Sequence, residues 1–344
     1  MLRLPLAKDQ VNDCINRRHG GSVPLVFHKW WGEGLEERYG SQALDDISSD
    51  IPDDIILASY TAPGLSTSTT ADPNYRWSYS QSSQSHSKAK DAAVLLPNWD
   101  DLQPYLAEFP DPDLQSGLFD EAAQVRAAHP DRYVLGHWWY CFYERLWSIR
   151  GMENVLMDLV LHPDELKQLC DSILEHHLKV VRGFAAAGVD GIFVSDDLGA
   201  QNTLMMSPSM FREFLKPLYR TLIQEAHNHG MHFWLHSCGN ISSILEDFVE
   251  IGLDVIHPIQ IGTMDLPATA AQFGGRISFL VGFDVQHLLP EGTAEEVRAG
   301  VHQIHDIFAR PEGGLLLAAG NGILPGTPLA NIRAFLETAA ILER

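Results

Sequence analysis

Short apolar runs alternate with longer segments of helical periodicity along most of this chain. Eight runs read as strands: "VPLVFH" (Val23 to His28), "DIILASY" (Asp54 to Tyr60), then "RYVLGHWW", "DGIFVSDD", "MHFWLHS", "DVIHPIQ", "ISFLVGFD" and "GLLLAAGN". They are nearly continuous in apolar residues, as strands covered on both faces tend to be. Between most of them, apolar positions recur at helical spacing. The segment from Pro163 to Gly188 opens on proline and closes on glycine, the usual punctuation of a helix. This alternation predicts an α/β fold, a closed (β/α)8 barrel, in preference to an open doubly wound sheet. The whole length, 1–344, reads as a single barrel domain with an N-terminal helical extension.

One section departs from the rhythm. From Thr61 to about His86 the chain is rich in Ser, Thr and Gln and too polar to build a core, while Tyr75, Trp77 and Tyr79 alternate with polar residues. It follows the second strand, so this insertion, taken as 61–97, is expected on the catalytic face. A lid that excludes water and a passive surface loop both suit it.

Composition narrows the partners. The formal net charge is −21, from 45 acidic and 24 basic residues, which opposes binding to nucleic acid or an anionic membrane surface. Four scattered cysteines, Cys14, Cys141, Cys170 and Cys238, are too few for a disulfide scaffold, and no apolar stretch approaches a membrane span. A soluble, unexported, cytoplasmic protein is expected.

Candidate chemistry gathers at the strand ends. In "FWLHSCGN" the side chains of His236 and Cys238 are two apart on one strand, so both are expected to face the barrel interior at its C-terminal rim, as two metal ligands. A hydrogen-bonded rim histidine beside a small buried cysteine is the plainer alternative. The capping-box spacing of Ser243 and Glu246 predicts a helix starting beside the pair, whose N-terminus would help hold Cys238 as a thiolate. Asp196 and Asp197 follow the fourth strand, Asp284 the seventh and His137 the third. Acidic groups gathered at one rim need a cation, a hydrogen-bonding partner or a raised pKa, although Asp197 and Asp284 also suit helix caps. Asp196 and His137 are the catalytic candidates. Asp197, Asp284, Gln260, Asn321, Trp30 and Trp138 are candidates for substrate contact, the tryptophans serving either as core packing or as an aromatic wall. The pairs His176–His177 and His227–His229 are expected on helix surfaces, as are Arg17 and Arg18 on the first helix. His302 and His305 share a helix face away from the strand ends.

The segments "KDQVNDCINRRHGGSVPLVF", "GVDGIFVSDDLGAQNTLMMSPSMFREFLKPLYRTLIQEAHNHG", "HSCGNI", "VGFDVQHLLPEGTAEEVR" and "GNGILPGTPLANIRAF" together resemble the uroporphyrinogen decarboxylase superfamily. The likeness spans nearly the whole chain and is greatest to the branch of corrinoid-dependent, zinc-containing methyltransferases of the methylcobamide:coenzyme M type. The resemblance implies a (β/α)8 TIM barrel with its site at the C-terminal mouth. It also implies zinc on an H-x-C pair, here His236 and Cys238, with a distant third cysteine and a corrinoid carried by a partner protein. The third position falls on Asn321, a poor zinc ligand beside a thiolate, which leaves Asp196, His257 or water to complete the set. The implied activity is zinc-assisted methyl transfer from a corrinoid or methylated small molecule to a thiol-type acceptor. The decarboxylases of the superfamily carry a basic segment near the N-terminus, where this chain reads "FHKWWGEGLEERYG", with Lys29 and Arg38 among Glu33, Glu36 and Glu37. Uroporphyrinogen decarboxylation is therefore the second reading, and a metal-free barrel that binds a tetrapyrrole or other small ligand the third.

Overall fold

The computed structural model describes residues 3–19, 21–27, 31–32, 34–60 and 94–342. Trp30 and positions 61–93 of the expected insertion lie outside the described residues.

Each of the eight apolar runs forms a strand, and all are parallel: β1 (Leu25–Val26), β2 (Ile55–Ser59), β3 (Tyr133–Trp138), β4 (Gly191–Ser195), β5 (His232–His236), β6 (Val255–His257), β7 (Ser278–Gly282) and β8 (Leu315–Ala318). Their order around the sheet is β1-β8-β7-β6-β5-β4-β3-β2, a nearly closed TIM barrel with helices outside. The periodic segment after β3 is a helix over Pro163–Ala187, ended by Gly188 at φ +81°, a left-handed conformation that glycine adopts without strain.

Among the described residues, ladder hydrogen bonds do not join β1 to β2. The buried carboxylate of Asp54 does part of that work, accepting from the Leu25 amide (2.7 Å), the Leu6 amide (2.7 Å) and Arg3 Nη2 (2.7 Å). The Asp54 amide donates to the Leu25 carbonyl at 2.9 Å.

Strand alternation sorts side chains into two layers. Tyr133, Phe193, Trp234 and His257 fill the interior: Trp234 Nε1 donates to Tyr133 Oη at 3.3 Å, and Phe193 meets both Trp234 and His257 edge-on. Trp138 points the other way. It stacks on Phe184 of the helix Pro163–Ala187, with rings 6.3 Å apart and 10° from parallel, and lies 5.2 Å from His177. Of the two readings given for Trp138, core packing and aromatic wall, it takes the first: it packs the barrel against its helical coat and does not serve as a substrate contact.

Two further expectations are corrected here. His176 and His177 are buried in the middle of the same helix, hydrogen-bonded to the carbonyls of Pro110 (2.9 Å) and Cys141 (2.8 Å), because they lie on its barrel-facing stripe. A carbonyl only accepts, so His176 Nδ1 and His177 Nε2 are the donors. Arg17 turns under the barrel with φ +53° and donates to Ser278 Oγ (3.1 Å) at the N-terminal end of β7, opposite the mouth.

Candidate metal centre

The loops that follow β4 and β5 meet backbone to backbone. A Cβ on Gly199 would lie 2.6 Å from the Asn240 nitrogen and the Cys238 oxygen, and one on Gly239 would lie 2.4 Å from the Gly199 carbonyl. Only glycine at both positions allows this approach, and Gly239 also takes φ +79°. The contact is tied by Gly199 N–H donating to Cys238 O (3.2 Å) and Asn240 N–H donating to Ala200 O (2.8 Å).

This contact brings together side chains from the two loops. Asp197 Oδ1 accepts from the Cys238 amide at 2.9 Å and lies 3.5 Å from His236 Nε2, which is 3.3 Å from Cys238 Sγ. One ligand atom from each of Asp197, His236 and Cys238 falls within 4.8 Å of the others, the one such group found among the described residues. The inward convergence expected for His236 and Cys238 is thus observed, with Asp197 as the third member.

Asn321, from the loop after β8, donates from Nδ2 to Cys238 Sγ at 2.8 Å. It therefore stands where the distant third ligand was expected, but it meets the sulfur as a hydrogen-bond donor. Burial pushes the Cys238 thiol up to about 12, helped by the Asp197 carboxylate and opposed by the Asn321 bond. The helix expected beside the pair does not supply the opposing field. A 3-10 turn covers Ser242–Ile244, the helix begins only at Leu245, and Glu246 forms a two-pronged ion pair with Arg276 (2.5 and 2.9 Å). No capping box holds Ser243 and Glu246 together, and without a cation the sulfur keeps its proton at neutral pH.

The remaining candidates fall into separate roles. Asp196 is fully buried and turned away from the sulfur. Its Oδ2 accepts from the amides of Phe142 (3.1 Å) and Tyr143 (2.9 Å) and from Tyr219 Oη (2.5 Å), and its Oδ1 accepts from the Glu144 amide (2.6 Å). Burial raises the pKa of this carboxyl while those four donors favour its anion, and it caps the helix Tyr143–Arg150. This is a different place from the third-ligand or catalytic position expected for it. His137 faces inward from β3, donates from Nδ1 to Ala58 O (3.2 Å) and has the ring of Trp139 at 5.3 Å. Gln260, Asp284 and Asn321 line one small cavity of about 40 Å³, together with Gln286 and apolar side chains. Within it, Gln260 Oε1 holds the Gly239 amide at 2.9 Å, and Asp284 Oδ1 caps the amides of Gln286 (3.0 Å) and His287 (2.9 Å). His257, in sequence a spare ligand candidate, has a different neighbour. Its ring meets that of His236, Nδ1 to Nδ1, at 2.7 Å. The sequence signal that could have found this contact is the parallel register of β5 and β6, which sets the two histidines side by side.

A family model described as Uroporphyrinogen decarboxylase (URO-D) matches residues 146–341, more than half of the chain and inclusive of Asp197, His236 and Cys238. The chain belongs to the uroporphyrinogen decarboxylase family. Within that family, a methylated-thiol–coenzyme M methyltransferase of Methanosarcina mazei is 25% identical over 189 residues, 55% of this chain and 48% of that protein. A methylcobamide:CoM methyltransferase, MtaA, of Methanosarcina barkeri is 26% identical over 174 residues, 50% of this chain and 48% of that protein. The match therefore spans about half the length of these relatives. The fold is shared more widely: a methyltransferase structure from Methanosarcina mazei superposes with a TM-score of 0.65 at 18% identity, over 96% of this chain and 97% of that one. No helix of the described residues is long and apolar enough to cross a membrane.

The donor set of this family member suits a divalent cation of borderline softness. One imidazole, one thiolate and one carboxylate supply three of the four positions that zinc ordinarily takes, and their two negative charges balance the ion. Three protein ligands with a fourth position left to a small molecule is the pattern of reactive zinc sites, as distinct from closed structural ones.

Proposed function

We propose that the chain is a metal-assisted methyltransferase that passes a methyl group from a corrinoid or methylated small molecule to a thiol-type acceptor. The observation that carries this reading is the convergence of Asp197, His236 and Cys238 within 4.8 Å at the C-terminal mouth of the barrel. The names of the relatives support the reaction class, and the compact donor set, whose two negative charges match a divalent cation, supports zinc as the ion. Zinc when bound lowers the pKa of a coordinated thiol, so that an acceptor sulfur is presented as a thiolate.

The chain's own residues prepare that position. His236 and Cys238 would hold the ion from β5 and its loop, and Asp197 from the loop after β4. Asn321 donates to the Cys238 sulfur and so weakens its donation slightly, while Gln260 fixes the Gly239 amide and with it the bend that places Cys238. His137 and Trp139 lie on the β3 wall of the mouth and are proposed to contact the methyl donor. In the net transfer the acceptor sulfur loses its proton to solvent and gains the methyl group, and the donor keeps the electron pair of the broken bond. The donor is proposed to arrive on a corrinoid protein, and the four free cysteines suit a reducing, cytoplasmic setting.

Decarboxylation of an octa-carboxylate is disfavoured by charge. Arg17 lies at the opposite end of the barrel, and among the described residues lining the cavity beside Asn321 there is no lysine or arginine. The test is metal analysis of anaerobically purified protein together with methylcobalamin demethylation against a panel of thiols. About one zinc per chain with thiol-dependent demethylation is expected. Carbon dioxide release from uroporphyrinogen by a zinc-free protein would reverse the assignment.

A further inference from the structure

We infer that His257 is a positioning residue that fixes His236 in the tautomer protonated at Nδ1, so that a bare Nε2 faces Asp197 and Cys238. The Nδ1–Nδ1 contact stands on geometry alone, while the choice between its two tautomers rests on the metal reading.

The two Nδ1 atoms lie 2.7 Å apart, which requires one proton between them and therefore one donor and one acceptor. Two neutral arrangements satisfy this. In one, His257 donates and His236 carries its proton at Nε2, aimed at a carboxylate oxygen 3.5 Å away, longer than a hydrogen bond. In the other, His236 donates and its Nε2 lone pair points at the cluster, 3.3 Å from the Cys238 sulfur. Only the second leaves His236 able to bind a cation.

The fold enforces the pair. His236 and His257 are register partners on β5 and β6, and the Ser237 amide donates to the His257 carbonyl at 2.9 Å. Their rings are 4.9 Å apart, and Phe193 closes edge-on over the fully buried His257. Metal-bound histidines commonly donate their second N–H to a carboxylate or a backbone carbonyl, which fixes the ring and raises its basicity. A neutral imidazole in that place fixes the ring without adding a negative charge. The three-ligand set then stays neutral with a divalent ion, and the ion stays more electrophilic than it would beside a further carboxylate.

Two measurements test this, one of them independent of metal. In long-range 15N–1H spectra of the metal-free protein, His236 is expected as the Nδ1–H tautomer and His257 as the Nε2–H tautomer, and His257→Leu is expected to release His236 toward the Nε2–H form. In chelator competition, zinc affinity is expected to fall about 10- to 100-fold in His257→Leu, the usual cost of losing such a partner. His257→Gln, whose carbonyl still accepts, should recover part of that loss, which loss of packing alone would not predict. An Nε2–H tautomer for His236 in the wild type, or a His257→Leu protein with unchanged spectrum and affinity, overturns the assignment. A wild type with the expected tautomers that takes up no zinc would leave His257 in its role and remove the metal reading instead.

Discussion

Asn321 reaches across from the loop after β8 to place its side-chain N–H 2.8 Å from the sulfur of Cys238. The spacing is that of a hydrogen bond to sulfur, and the same position would let a side-chain sulfur at 321 approach the ion. Asn321→Cys is therefore expected to tighten zinc binding by at least about tenfold, because a second thiolate is a far better ligand than a donated N–H. Competition with a chromophoric chelator measures it. An unchanged affinity would mean that position 321 does not address the ion.

Asp196 and Asp197 are neighbours in sequence with different work. Asp196→Asn is expected to destabilise the fold by about 2–3 kcal/mol, since it removes the charge from a buried group that accepts four hydrogen bonds. Zinc per folded chain should stay the same. Asp197→Ala should do the reverse, lowering zinc content with a small effect on the urea midpoint. Loss of zinc in Asp196→Asn at unchanged stability would put Asp196 back among the ligands.

Gly199→Ala is expected to push apart the loops that carry Asp197 and Cys238, since the new methyl would meet backbone atoms that have nowhere to move. The cost is about 1–3 kcal/mol for overpacking, with zinc uptake lost. A control at Gly21, where a Cβ meets nothing within 4 Å, should leave uptake intact.

The buried imidazole of His176 gives stability a pH dependence. Burial lowers it from 6.5 to about 4, so between those values the unfolded chain binds a proton that the folded one does not. Stability is whole above pH 6.5 and falls as pH drops toward 4, by at most about 3 kcal/mol from this group. Urea titrations from pH 7 to 4 should show a shallower decline in His176→Gln than in the wild type. Parallel declines would assign the proton uptake elsewhere.

Much of the barrel was legible because strand placement depends on local apolar runs, and all eight runs became strands. The closure was not. Nothing in the pattern around Leu25 and Asp54 says that a carboxylate will stand in for part of a ladder between β1 and β2. At the site, His236 and Cys238 were legible because they sit two apart at a strand end, a purely local relation. Asp197 was read as a cap or a substrate contact, because choosing between it and Asp196 requires knowing which carboxylate turns under the helix at Tyr143. Trp138 stayed open between core packing and an aromatic wall because side-chain alternation fixes that neighbours face oppositely, but which of them faces in depends on the register of the closed sheet. The His236–His257 bond depends on the same register.

The packed interior has a bearing on traffic. With Tyr133, Phe193 and Trp234 wedged across the cylinder and Arg17 seated below it, the described wall offers the mouth as its doorway. In the proposed reaction, reactant and product then share one passage, so whatever has just been made must leave before the next molecule can be admitted.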